Sequence, residues 1–142
     1  MDREMTGGGS NAPSVHEGRA LVRVLIVDDE PLIGTTLKVL LADDHDVEFA
    51  SSGSDARALL ERDQGFDVIL CDLMMPGVNG MDLYAWLRKA DPELATRMVF
   101  MTGGVFTEEA RAFLDSIPNA RIEKPFDHDV LLQIIRDLDR GP

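Results

Sequence analysis

The hexapeptide Val22–Val27 (VRVLIV) is apolar at nearly every position and rich in β-branched residues, which limits the folds open to this chain. A strand with one wet face alternates apolar and polar residues. A nearly continuous apolar run predicts cover on both faces, as in a parallel sheet between layers of helices. The rest of the sequence repeats the theme. Short apolar runs at Val47–Ala50, Asp67–Cys71, Met98–Met101 and, weakly, Ala120–Ile122 predict four further strands. Between them, apolar residues recur at helical spacing: Ile33, Leu37, Leu40 and Leu41 after Pro31; Ala56, Leu59 and Leu60; Leu83, Trp86 and Leu87, ending near Asp91-Pro92; Glu108–Leu114; and Val130, Leu131, Ile134, Ile135 and Leu138. Five strands alternating with five helices imply right-handed βαβ units, hence an α/β fold with a mostly parallel, doubly wound sheet.

Size and charge narrow the possibilities further. A chain of 142 residues, 44% hydrophobic and 28% charged, fits one globular domain with a tail. Residues 1–20 carry the run Gly7-Gly8-Gly9-Ser10-Asn11-Ala12-Pro13-Ser14 and bury too little to offset the entropy of ordering, so a flexible N-terminal tail is expected there and one domain over 21–142. The net charge of −12 should repel phosphate backbones and anionic lipid, which argues against nucleic acid or membrane as direct partners. One cysteine, Cys71, leaves no internal disulfide or cysteine-based zinc cluster, and His16, His45 and His128 lack ligand spacing. With no apolar run near the roughly 18 residues of a membrane span and no signal-peptide stretch, a cytoplasmic protein is expected.

The position of the polar residues is the functional clue. Asp28 and Asp29 follow the first predicted strand, Asp72 the third, Thr102 the fourth and Lys124 the fifth. Singly, each has a plainer role as a helix cap, turn residue or surface residue. Jointly they fall on the edge where parallel strands end and α/β folds bind ligands. Three carboxylates converging there repel one another, and Mg²⁺ with its preference for oxygen ligands is the simplest compensation. A lysine and a hydroxyl beside them suit a phosphoryl group, so the implied chemistry is phosphoryl transfer to a carboxylate.

These residues resemble a known family. The sequence Val27-Asp28-Asp29-Glu30-Pro31, then Asp72-Leu73-Met74-Met75-Pro76-Gly77, Met101-Thr102-Gly103-Gly104 and Lys124-Pro125-Phe126 is similar to the receiver domain of two-component response regulators, over most of Val22–Asp139. The Met-Thr-Gly-Gly and Glu-Lys-Pro-Phe combinations most resemble receivers of hybrid histidine kinases, with a single-domain receiver as the other form. The resemblance implies a flavodoxin-like sheet of order 2-1-3-4-5 and a phosphorelay role, with a phosphoryl group accepted from a histidine kinase or histidine phosphotransfer protein. It implies Asp72 as phosphoacceptor; Asp28, Asp29, Asp72 and the backbone carbonyl of Met74 as Mg²⁺ ligands; and Thr102 and Lys124 as phosphoryl-binding and switch residues. Leu32 and Thr36 would belong to a kinase-docking surface on the first helix.

One position departs from the family pattern. Three residues before Lys124 the family usually carries Tyr or Phe, and here stands Arg121. An arginine does not rotate into an apolar pocket, so the switch is expected to rest on the Thr102 loop, made pliant by Gly103-Gly104. The same departure sustains an alternative, a pseudo-receiver that binds proteins without phosphorylation. A Mg²⁺-dependent small-molecule phosphatase is a weaker alternative, because it would need an acid where Met74 stands and a substrate cap domain. The expected role is therefore a phosphoacceptor rather than an enzyme, and with no output domain before Pro142 its output is expected to be a protein contact, a further phosphotransfer or regulation of a kinase from which it was excised.

Overall fold

The computed structural model describes residues 21–103 and 107–138. The tail expected over residues 1–20 lies outside them, as does Gly104. The elements run β1 (Val22–Val27), α1 (Pro31–Leu41), β2 (His45–Ala50), α2 (Gly53–Arg62), β3 (Val68–Asp72), α3 (Gly80–Ala90), α4 (Pro92–Ala95), β4 (Met98–Thr102), α5 (Glu108–Asp115), β5 (Arg121–Glu123) and α6 (His128–Leu138). All five strands are parallel, in the order β2-β1-β3-β4-β5. The expected doubly wound sheet of order 2-1-3-4-5 is therefore the observed one.

Both faces of the sheet are covered, which explains the apolar strands. Successive residues alternate between two cores. Val24, Ile26, Val68, Leu70, Val99 and Met101 pack with Leu37 and Leu41 of α1 and Leu131 and Ile135 of α6. Leu25, Val27, Ile69, Cys71, Met98 and Phe100 face α2, α3, α4 and α5. In this second core Tyr84, Phe100 and Phe113 meet edge to face, with ring centroids 5.4 to 6.1 Å apart. Trp86 packs against its margin as expected for a helix residue, with the Arg57 guanidinium 5.0 Å from its ring centroid. Among the described residues no helix is long and apolar enough to cross a membrane.

The helices start where local chemistry directs. Pro31 occupies the first turn of α1, where a missing N–H costs nothing. Ser52 caps α2 by accepting from the Asp55 N–H at 3.0 Å, and Asn79 and Asp82 form a reciprocal capping box on α3. Among the described residues the sheet carries six helices rather than the five expected. Asp91-Pro92 does end α3, but the same pair starts another helix: the Asp91 carboxylate accepts from the Leu94 N–H at 3.2 Å and Pro92 opens the turn. That single turn buries Leu94 and Ala95.

Strand β2 begins at His45 rather than Val47. It is an edge strand, and its early residues include exposed acids that do not read as a strand. Arg23 of β1 holds them: its guanidinium lies 3.4 Å from Asp46, 3.5 Å from Glu48 and 3.0 Å from Asp63, and sits 4.4 Å from the Phe66 ring centroid.

Gly53, the first residue of α2, fixes the loop that leads from β3 to α3. A Cβ there would stand 2.0 Å from the Val78 carbonyl oxygen. Backbone is a poor partner to displace, so Gly53→Ala should destabilise the fold by about 2–3 kcal/mol, the upper part of the usual range for overpacking. Urea unfolding checks this, and an unchanged midpoint would mean the loop simply shifts.

Candidate functional site

The carboxyl ends of β1, β3, β4 and β5 deliver the predicted polar residues to one crevice. Asp28 directly follows β1 and is completely buried; its N–H donates to the Ala50 carbonyl at 3.2 Å and its Oδ1 accepts from the Glu30 N–H at 2.9 Å. Asp29, next along, is exposed. Asp72 and Thr102 prove to be the last residues of β3 and β4 rather than the first beyond them. Both are buried, which places them at the floor of the crevice. Lys124 follows β5, and its backbone N–H donates to the Thr102 carbonyl at 2.7 Å. That bond ties the amine-bearing residue to the hydroxyl-bearing one.

The Lys124 ammonium is the electrostatic centre. Its Nζ lies 2.8 Å from Asp28 Oδ2, 3.7 Å from Asp72 Oδ1 and 3.7 Å from Glu30 Oε1. Burial alone would lower its pKa, but the hydrogen bond it donates to Asp28 and the fields of Asp72, Asp28 and Glu30 outweigh that and raise it. Asp72 moves the other way from an ordinary carboxylate and is pushed up to about 6. Burial is the main cause. Lys124 opposes it, the charges of Asp28 and Asp29 add to it, and the Met74 backbone N–H partly offsets it.

Asp28, Asp29 and Asp72 each offer an oxygen, and these atoms all lie within 4.8 Å of one another. Hard oxygen donors this close, one of them raised in pKa by burial and by the charges of the other two, fit a divalent cation such as Mg²⁺. Met74 lies two residues beyond Asp72, within the chain segment that would supply a carbonyl.

Other expectations separate from this cluster. Arg121 opens β5 on the exposed sheet edge, opposite Phe100 in register, and its guanidinium lies 3.7 Å from Asp115 at the end of α5. It does not reach the crevice. Leu32 and Thr36 are both exposed on α1. Cys71 is buried in the central strand, where burial raises its pKa and its thiol donates to the Asp72 carbonyl at 3.3 Å. It is a packing residue, as expected. Glu30, by contrast, was not singled out from sequence, although it continues the Asp28-Asp29 acidic run and its carboxylate shares Lys124 with the two buried acids.

The description "Response regulator receiver domain" matches residues 24–136. The chain belongs to this receiver family. Among its relatives, the transcriptional regulatory protein TrcR of Mycobacterium tuberculosis is 32% identical over 130 residues, covering 90% of this chain and 49% of that protein. The chain thus spans about half the length of that relative. Solved receiver structures agree with the fold. The receiver domain protein of Clostridium thermocellum is 27% identical with a TM-score of 0.74, covering 83% of this chain and 94% of that one. The CheY-like receiver of Methanospirillum hungatei is 30% identical with a TM-score of 0.73, covering 84% and 95% respectively. The acids, the threonine and the lysine of this chain stand at the carboxyl ends of β1, β3, β4 and β5.

Proposed function

We propose that residues 21–142 form a phosphoacceptor module of a two-component phosphorelay, in which Asp72 takes a phosphoryl group from a histidine kinase or histidine phosphotransfer protein. The observation that carries this reading is the placing of Asp72: it ends the central strand, 3.7 Å from a lysine and in contact range of two further carboxylates. In the transfer, an Asp72 carboxylate oxygen attacks phosphorus while the bond to the donor nitrogen breaks, its electron pair leaving with the imidazole. Mg²⁺ held by Asp28, Asp29, Asp72 and the Met74 carbonyl would neutralise charge on the transferring oxygens. Lys124 pairs with a phosphoryl oxygen, exchanging its contact with Asp72 for one with the new group.

The product carries a charge of about −1.5 to −2 and strong acceptor oxygens, by analogy with other phosphorylated side chains. Thr102 stands at the next strand end and supplies a hydroxyl to them, so the loop beyond it changes conformation on phosphorylation. The exposed, ion-paired setting of Arg121 supports a switch carried by that loop rather than by an inward-turning side chain at position 121. The module itself acts as a binding and phosphoacceptor unit, not as an enzyme with a free substrate. With a net charge of −12, it engages proteins rather than nucleic acid or membrane, as suits a cytoplasmic signalling protein.

The test is intact mass after incubation with acetyl phosphate and Mg²⁺. A single labile phosphoryl adduct, absent from Asp72→Asn and from metal-free samples, is expected. A folded, Mg²⁺-binding chain that takes no adduct from acetyl phosphate or a histidine kinase would overturn the proposal in favour of a pseudo-receiver. Turnover of free phosphoesters would favour the phosphatase.

Kinase docking would use the α1 surface around Leu32 and Thr36. Leu32 is 76% exposed, far more than an apolar side chain needs for packing. In Leu32→Ala, the ratio of kinase-driven to acetyl phosphate-driven labelling should fall about fivefold, the effect of losing one interface anchor. An unchanged ratio would remove that surface from the account.

A further inference from the structure

Three carboxylates share the Lys124 ammonium, and they differ sharply in exposure. Asp28 is buried completely and the Asp72 side chain is 12% exposed, whereas the Glu30 side chain is 65% exposed. Glu30 is therefore the most exposed of the three acids that share Lys124. Its backbone carbonyl accepts from the Ile33 and Gly34 N–H groups at the start of α1, which fixes where the side chain departs. Its carboxylate makes no cap hydrogen bond with that helix. What it does contact is the lysine that the incoming phosphoryl group also needs.

We propose that Glu30 is a specificity-determining residue that makes Asp72 prefer phosphodonors with a cationic leaving nitrogen over free acyl phosphates. The inference rests on the phosphoacceptor reading of Asp72. A donor phosphoryl group that pairs with Lys124 comes close to the Glu30 carboxylate, 3.7 Å from that ammonium. Acetyl phosphate arrives as a dianion, and its repulsion by a neighbouring fixed charge is not compensated. Phosphoramidate carries a protonated nitrogen and is a net monoanion, as is the phosphoryl group of a histidine protonated on its ring; here the cationic end offsets the repulsion.

The bond changes are alike for both donors. An Asp72 oxygen attacks phosphorus, and the electron pair of the breaking bond leaves with acetate in one case and with ammonia in the other. Phosphoramidate nitrogen already carries its proton, so none has to be supplied.

The experiment compares initial rates of adduct formation by intact mass, with acetyl phosphate and with phosphoramidate, in the wild-type chain and in Glu30→Gln and Glu30→Lys, all with Mg²⁺. In Glu30→Gln the acetyl phosphate to phosphoramidate rate ratio should rise about threefold, as expected for removing one partly screened charge several ångströms from the reacting group. In Glu30→Lys the rise should be larger, about tenfold. Raising the salt concentration should narrow both differences. The glutamine keeps the backbone contacts of position 30, so a folding defect does not mimic a change in the ratio. Equal effects on both donors, or none, would overturn the role given to Glu30 while leaving Asp72 as acceptor. No adduct from either donor or from a histidine kinase in the wild-type chain would overturn the phosphoacceptor reading, and this proposal with it.

Discussion

Asp72→Asn will lose phosphoryl uptake altogether and yet fold more stably than the parent chain when metal is absent. The loss follows because an amide is no nucleophile toward phosphorus under these conditions. The gain follows from electrostatics. Burial and the neighbouring Asp28 and Asp29 charges push Asp72 up to about 6 from an ordinary value of 3.8, so between those two pH values the folded chain keeps a proton that the unfolded chain has lost. Stability therefore declines as pH rises through that window, and the penalty stands in full above it. Asparagine removes the penalty. In EDTA at pH 7.5 the variant should be more stable on the order of 2 kcal/mol, shrinking toward zero near pH 4. Asp63 titrates with the opposite sign, held low chiefly by its hydrogen bond from Arg23, but it is common to both proteins and cancels in the difference. Urea titrations at the two pH values measure this directly. A gap that does not depend on pH would show that Asp72 is not electrostatically strained.

Lys124→Met should do the reverse. Asp28 is completely buried and Lys124 is the cation beside it, at 2.8 Å. Removing one partner of a buried ion pair leaves the other uncompensated, at a cost of about 3 kcal/mol or more. Methionine keeps most of the apolar stem, so the loss reports charge rather than packing. Mg²⁺ should then stabilise the variant by more than it stabilises the parent, because the ion supplies positive charge that the lysine no longer provides. Adding Asp72→Asn should recover part of the loss, since the two residues share one electrostatic network. Strict additivity of the two substitutions would contradict the 3.7 Å contact between them. Phosphoryl uptake from acetyl phosphate should also fall about tenfold, the effect of one charge-assisted contact in the transition state.

Much of this was legible in the chain itself, for reasons that differ by element. β1, β3 and β4 are buried on both faces, and continuous apolar runs betray such strands. β2 lies at the edge, where Asp46 and Glu48 interrupt the pattern and only the distant Arg23 explains them. α4 escaped because Asp91-Pro92 serves as a stop and a start within the same two residues. Asp28, Asp29, Asp72 and Lys124 could be read as converging because parallel strands all end on one side. The one-residue shifts that put Asp72 and Thr102 within their strands could not, since strand ends are set by pairing partners. Glu30 was present in the motif, but its approach to Lys124 joins distant parts of the chain and leaves no local trace.

The bond between Asp28 and Lys124 joins residues 96 positions apart. Contacts between residues so far apart carry a loop-closure cost that local contacts do not, and folds rich in them form more slowly. A nascent chain that has already presented Asp72 therefore lacks the ammonium that makes the crevice tolerable until its final strand docks. A chain cut short before β5 would keep both buried acids without the lysine that offsets their charge, so the completeness of the sheet and the electrostatic balance of the crevice are one and the same condition.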